Sequence, residues 1–397
     1  MNKFTLSLSL FVLMISTSIF ANNGIITTIP DNLGNIYNSK NFNRYTKVTT
    51  PNGGSIHIVA QSHLTDEQII RCRNVLQHYL TDYKGSKYGS DKSAVANKMA
   101  ENNAILVLLN GQDDGSNPVG KEVTGQPLYQ NEIQVEGSDW YMNQNYDHRD
   151  ATFEEILHFI HDNGIGVDGN DDFLGVLPKY QANIRTAQKN GLAKNLWGRG
   201  SENKNWVKEL ANENSLTQEY LASVVDSYYG LWGAWKEGKG GMWGIYTAKT
   251  REDIKSKDPM GYALMNKQFF HYYLTYNARI DANLKGNFSL KFDPSKPYTH
   301  HSRYLKAVTL LGKNDNSVTV NELDNDITGN AGNNVVIFSG KSAEYKIIKN
   351  KSKSKSKSKS KSKSKIIVED KVSGRDGSNT LSGIEKLQFK DKTVNLK

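Results

Sequence analysis

Four side chains in the stretch Thr152-Phe153-Glu154-Glu155-Ile156-Leu157-His158-Phe159-Ile160-His161-Asp162 could do chemistry together. Wound as a helix at about 100° per residue, the stretch puts Phe153, Ile156, Leu157 and Ile160 on one face, suited to a core. Glu154, His158 and His161 fall on a second face within about 60° of one another, and Glu155 lies beside His158 about 60° further round. Imidazoles and carboxylates are zinc ligands, and a further carboxylate can act as general base for a water that the metal activates. His158 and His161 stand about 4.5 Å apart along the axis and can share an ion, whereas Glu154 and His161, about 10 Å apart, cannot. The metal pair is therefore Glu154 with His158, or His158 with His161. The same spacing also suits ordinary ion pairs on a helix surface.

The elements that must position this helix can be read in order. Ser55 to Val59 reads as a strand, and a helix follows from an N-cap at Thr65 to about Leu80. Ser93 to Glu101 reads as a second helix, and the apolar run Ala104 to Leu109 as a strand buried on both faces. Tyr129 to Val135 is expected to be an edge strand, and the motif helix is expected to stop at Asn163-Gly164. Lys179 to Asn195 reads as a helix, and Ser215 opens another with Gln218 at the capping-box position. On that last helix Glu219, Ala222, Ser223 and Asp226 share a small, polar face. A Glu flanked by small residues can approach a metal closely, although a Glu near a helix N-terminus is also favoured simply by the dipole.

The run Glu154-Glu155-Ile156-Leu157-His158 resembles the zinc-peptidase signature His-Glu-x-x-His, with Glu in the first ligand place. Glu219-Tyr220-Leu221-Ala222 is similar to the Glu-aromatic-x-Ala setting of the third ligand in glutamate-ligand zincins. The resemblance implies an α+β fold: a zincin-like catalytic domain with a mixed sheet, an active-site helix and a helical second lobe. It implies zinc held by His158, by Glu154 or His161, and by Glu219, with Glu155 as the general base. Asp226 or Ser223 would support the ligands. Apart from the resemblance, Tyr228, Tyr229 and His271 are unranked candidates for a donor to a developing oxyanion. The order of elements also fits the N-terminal lobe of zincins, where an edge strand lies over the cleft.

The length of 397 residues allows about two or three domains. Residues 1–21 read as a secretory signal: Lys3, an apolar run around Phe11 to Ile15, and small residues ending at Ala21. Residues 22–54 read as a polar leader, 55–305 as the catalytic domain and 306–397 as a small β module. With that signal, and with no later stretch apolar enough to span a membrane, the protein is expected to be secreted or periplasmic. The single cysteine, Cys72, cannot form an intrachain disulfide and is expected to be buried. Of the formal charge of +9, eight lysines stand in the Lys-Ser tract 351–365, so the rest of the chain carries only +1. With no stacking-aromatic or helix-turn-helix signature beside that charge, a nucleic-acid partner is excluded. A monomer acting on a peptide or protein substrate is expected.

The tail has its own pattern. Gly329-Asn330-Ala331-Gly332-Asn333 and the run Gly374 to Phe389 resemble the repeats of exported haemolysin-type calcium-binding proteins. One repeat copy is too little for a parallel β-roll, so a small accessory module is expected, with Ca²⁺ as an additional ion. The Lys-Ser tract reads as a disordered hairpin loop between Tyr345–Ile348 and Ile366–Val368. The paired His300-His301 reads as solvated loop. Two functional classes remain open: an exported zinc metallopeptidase, or a secreted, non-catalytic binding or adhesion protein on the same scaffold, stabilised by calcium.

Overall fold

The strand-forming and helix-forming runs alternate early in the chain, and in the computed structural model they build a mixed sheet backed by helices. The structure describes residues 26–170, 175–350 and 365–396. The signal-peptide reading and the Lys-Ser tract from 351 to 364 lie outside the described residues.

A short helix α1 (Asn35–Ser39) leads into β1 (Phe42–Thr49), which pairs antiparallel with β2 (Ser55–Gln61). This stretch is not a loose polar leader but part of the sheet. Phe42, Tyr45 and Val48 are buried while Asn43, Lys47 and Thr49 face out, so β1 is a half-exposed edge strand whose polar residues lie on the solvent side. β2, β3 (Ile105–Leu109) and β4 (Gln126–Tyr129) run parallel, in the order β1-β2-β3-β4. The edge strand is thus four residues that end at Tyr129, where it had been expected to begin; residues 130–132 form a 3-10 turn.

Helices α2 (Asp66–Leu80) and α3 (Ser93–Glu101) pack near this sheet, α2 opened by the reciprocal Thr65–Gln68 capping box. Cys72 is buried in α2, and burial raises its thiol pKa. After α4 (Asp139–Asn143) comes the motif helix α5 (Thr152–Ile160). It does not stop at Asn163-Gly164 but widens into a π turn, His161–Ile165, and ends at Gly166 with φ 105°. Gly164 is required there because a Cβ would meet Val95 of α3 at 2.7 Å.

The second lobe is helical: α6 (Pro178–Ala193), α7 (Lys204–Asn212), α8 (Leu216–Tyr228), α9 (Arg251–Lys257) and α10 (Pro259–Met265). α8 packs directly on α5 and α6.

The β module begins at Leu274, not at residue 306, and it is a parallel roll. Strands alternate between two sheets: β5 (Leu274–Ile280), β7 (Leu305–Leu310), β9 (Asp326–Thr328) and β13 (Ser378–Ser382) on one side. On the other lie β6 (Gly286–Ser289), β8 (Asn316–Thr319), β10 (Val335–Ile337) and β14 (Lys386–Gln388), with β15 (Thr393–Asn395) added antiparallel. Ala278, Val308, Ile327 and Leu381 stack in register in the first sheet, and Phe288, Val318, Val336 and Leu387 in the second. All eight are buried. The expectation that one repeat copy could not build a roll fails because each coil needs only one inward apolar residue per short strand. The hairpin β11 (Tyr345–Asn350) and β12 (Lys365–Asp370) is inserted between coils and pairs Asn350 with Lys365, at the two ends of the tract.

Asparagine amides stitch the turns of the roll. Asn330 Nδ2 donates to the carbonyls of Leu311 at 2.9 Å and Asn314 at 3.0 Å, and Asn379 Nδ2 to that of Asp376 at 2.7 Å. Among the described residues no three His, Cys, Asp or Glu side chains of the roll converge on one point. His301 is also not a loop residue: it is fully buried in α11 (Thr299–Ser302), and its Nδ1 lies 2.8 Å from the Tyr229 carbonyl.

Candidate metal centre

Asp150 fixes the start of α5. Its Oδ1 accepts from Thr152 N at 3.2 Å and from Thr152 Oγ1 at 2.6 Å, placing a carboxylate at the positive end of the helix. Its Oδ2 accepts from Tyr141 Oη at 2.8 Å and from Arg71 Nη2 at 2.5 Å. Arg71, fully buried, also pairs with Glu136, whose Oε1 accepts from Tyr276 Oη at 2.5 Å. The α5 register is therefore tied to α2 and to the first strand of the roll.

With α5 so placed and α8 against it, Glu154, His158 and Glu219 converge. One ligand atom from each lies within 4.8 Å of the others, and this is the metal-capable group among the described residues. A tetrahedral zinc site sets its ligand atoms about 3.4 Å apart, so the widest separation would have to close by up to about 1.4 Å. His158 Nε2 stands 3.7 Å from Glu219 Oε1 and, though buried, has no hydrogen-bond partner. A bare, buried imidazole nitrogen facing two carboxylates is the feature that fits a cation. The buried Glu154–His158–Glu219 group could bind a metal ion.

Glu155 occupies the other edge of the His158 ring, with Oε2 3.7 Å from Nδ1 and a 2.8 Å hydrogen bond from Gln126 Nε2 on β4. Burial alone would lower the His158 pKa, but Glu155, Glu219 and Asp162 push it up to about 9 in the metal-free protein. Burial alone would raise the Glu155 pKa, but His158 holds it below its usual value. Glu132, half-buried and facing the Glu155 charge, is pushed up to about 7.

His161 lies outside the group. Its Nε2 is 2.6 Å from Gln181 Oε1 of α6, and burial lowers its pKa to about 4. Of the two pairs the spacing allowed, the structure brings together Glu154 and His158. Ser223 does not reach the Glu219 carboxylate; its Oγ donates to the Glu219 carbonyl at 2.9 Å and accepts from Trp197 Nε1 at 3.0 Å. Asp226 is fully buried beside Arg149 and Trp232 without a well-formed hydrogen bond. Burial raises its pKa to about 7, with Arg149 opposing and Asp150 adding. Tyr229 Oη donates to the His271 carbonyl at 2.7 Å, His271 Nε2 lies 2.9 Å from the Thr81 carbonyl, and the Tyr228 ring lies under Arg251. All three are held in structural contacts.

Three participants were missed in the sequence. Arg149 pairs with Glu154 through Nη2. Gln126 holds Glu155, and Gln218 Nε2 donates to Asp162 Oδ2 at 3.0 Å in place of the expected cap. Arg149, five residues before Glu154, carried a signal: a lone cation just ahead of an acidic first turn. Gln126 and Gln218 carried none, since their partners are distant in sequence. No protein-family model, curated protein or solved structure matches the chain. No helix among the described residues is long and apolar enough to cross a membrane.

Proposed function

We propose that the protein is an exported, zinc-dependent peptidase of zincin-like type, with zinc held by Glu154, His158 and Glu219. The supporting observation is the unpartnered, buried His158 Nε2 facing two carboxylates, with a third carboxylate, Glu155, one residue along the helix. Zinc in this site would polarise a peptide carbonyl and lower the pKa of water. Glu155, held by Gln126, would accept the proton of the attacking water and deliver it to the leaving amine. Its charge beside His158 Nδ1 also keeps the ring proton on that edge, which leaves Nε2 free as a ligand. Arg149 neutralises part of the Glu154 charge and lies near any oxyanion that develops at the site.

The Arg149–Glu154 ion pair favours one second reading, a secreted binding protein whose first ligand is engaged elsewhere. Metal analysis of the purified protein, with hydrolysis of a fluorescence-quenched casein, separates the two. One zinc per chain with cleavage that a chelator abolishes is expected; zinc-free protein, or zinc without cleavage, supports the second reading.

A further inference from the structure

An open cavity of about 530 Å³ lies between the 143–147 loop and the 234–243 loop. Its aromatic walls are Tyr146, Trp235 and Trp243. Trp243 is 42% exposed, and its ring is presented by two successive left-handed residues, Met242 (φ 44°) and Trp243 (φ 51°). That conformation is costly for residues with a Cβ and marks a position that the surroundings over-determine. Trp243 Nε1 donates to the Tyr146 carbonyl at 2.8 Å, locking the two loops together, and Tyr146 stacks on buried Trp232 at 5.2 Å.

A second observation points to a ligand. Gln144 lines the cavity in a left-handed conformation and is only 6% exposed. Its Oε1 accepts from Tyr146 Oη at 2.9 Å, while Nε2 has no partner. Turning the amide over would let Nε2 donate to Tyr146 Oη, which itself donates to the Leu231 carbonyl at 3.1 Å, but would strand Oε1. Either orientation leaves one buried polar atom of this cavity-lining side chain without a partner among the protein's own groups.

The lining narrows the class of that molecule. Asp147 and Glu237 on the rim disfavour an anion. A cation would compete with Arg149, already 5.6 Å from the Trp243 ring centroid, with Lys249, 5.6 Å from that of Trp235, and with Lys236 on the rim. The remaining chemistry is neutral: a flat apolar face for the indoles and hydroxyls that both donate and accept, for carboxamides and carboxylates. We infer that this cavity binds a neutral sugar residue. Arg149 spans from the Trp243 ring to Glu154, so a bound sugar lies one side chain from the metal group. Resting on the peptidase reading, the substrate is then a glycosylated protein, held by its glycan next to the bond that is cut.

The test uses the full exported chain on an array of neutral and charged oligosaccharides, followed by tryptophan-fluorescence titration of the strongest neutral binder. Saturable binding is expected. Trp243→Ala should weaken it about tenfold or more, with a lower melting temperature because the Nε1 bond between the two loops goes with the ring. Asp147→Ala, on an exposed rim residue, should weaken it without touching the aromatic walls. Absence of neutral binders, preference for charged glycans, or binding indifferent to both substitutions overturns the inference. Glycan binding without peptide cleavage would overturn the peptidase reading alone. Equal cleavage of glycosylated and bare protein would overturn the glycan role alone.

Discussion

Replacing Glu155 by Gln separates proton transfer from metal holding. The amide keeps the size of the side chain and can still accept the 2.8 Å hydrogen bond from Gln126 through its own Oε1. It removes the negative charge 3.7 Å from His158 Nδ1 and the ability to take a proton. A positioned general base contributes about 10² to 10⁴ in rate, so a loss of about 10³, or about 4 kcal/mol of barrier, is expected at saturating zinc. A carboxylate that only orients a ligating imidazole costs about 10- to 100-fold in metal affinity and leaves the saturated rate nearly intact. Two effects oppose one another in metal uptake. Without Glu155 the His158 pKa falls from about 9, so fewer protons must be displaced, while the ring tautomer is held less firmly. Zinc affinity should therefore change by less than the rate. The assay is kcat for a quenched casein measured over a zinc titration, with zinc content read in parallel by mass spectrometry. A variant that binds zinc fully and keeps kcat within about tenfold of the parent refutes Glu155 as the base.

Glu219→Ala removes one of three ligands and leaves His158 Nε2 without its facing carboxylate; stoichiometric zinc should be lost while the circular dichroism spectrum is unchanged, and retained zinc would remove α8 from the site. His161 has a folded pKa of about 4 against an ordinary value of 6.5. Its neutral form is favoured in the fold, so stability is full above pH 6.5 and falls as pH drops toward 4, by about 3 kcal/mol. His161→Asn should flatten that part of the pH–stability curve in urea melts, and an unchanged slope would contradict the assignment. Arg71→Met strands Glu136 and Asp150 in the interior and should cost about 3–5 kcal/mol; a loss under about 1 kcal/mol would mean the network contributes little. Ile327→Ala opens a cavity midway along the first apolar ladder of the roll and should cost about 2–5 kcal/mol by the same melts.

The parts legible in the sequence were those set by local periodicity. The α5 stripe, the Thr65–Gln68 cap and the buried strand Ile105–Leu109 follow from spacing alone, and so does the shared face of Glu154 and His158. Glu219 required the longer comparison of two helices. His161 was misjudged because helical angle treats every side chain on a face alike, whereas a buried ring turns toward whichever polar group lies nearest, here Gln181. The roll was misjudged for a different reason. Strands of three or four residues show one inward side chain each, too few for an alternation to stand out, and its asparagine turns use neutral amides where a calcium repeat uses carboxylates. β1 was lost to its own polar face.

The roll and the metal group are joined by charge as well as by packing. Tyr276 on β5 donates to Glu136, and buried His301 lies 3.8 Å from the same carboxylate. Glu136 pairs with Arg71, Arg71 with Asp150, and Asp150 accepts from Thr152, the first residue of α5, the helix that carries Glu154 and His158. The Glu136 carboxyl, which burial alone would push up, is held down at about 2 by Arg71 and His301, so it stays ionised across ordinary pH. A buried ion network is a poor source of net stability compared with apolar packing, but it tolerates little displacement because each partner left unpaired is expensive. Its place in the fold suits that property. It fixes the register of α5 from below, through residues on α2 and on the first coil of the roll, while α8 brings Glu219 from the side. Removing coils from the roll should therefore disturb the metal group even though no residue of the roll belongs to it.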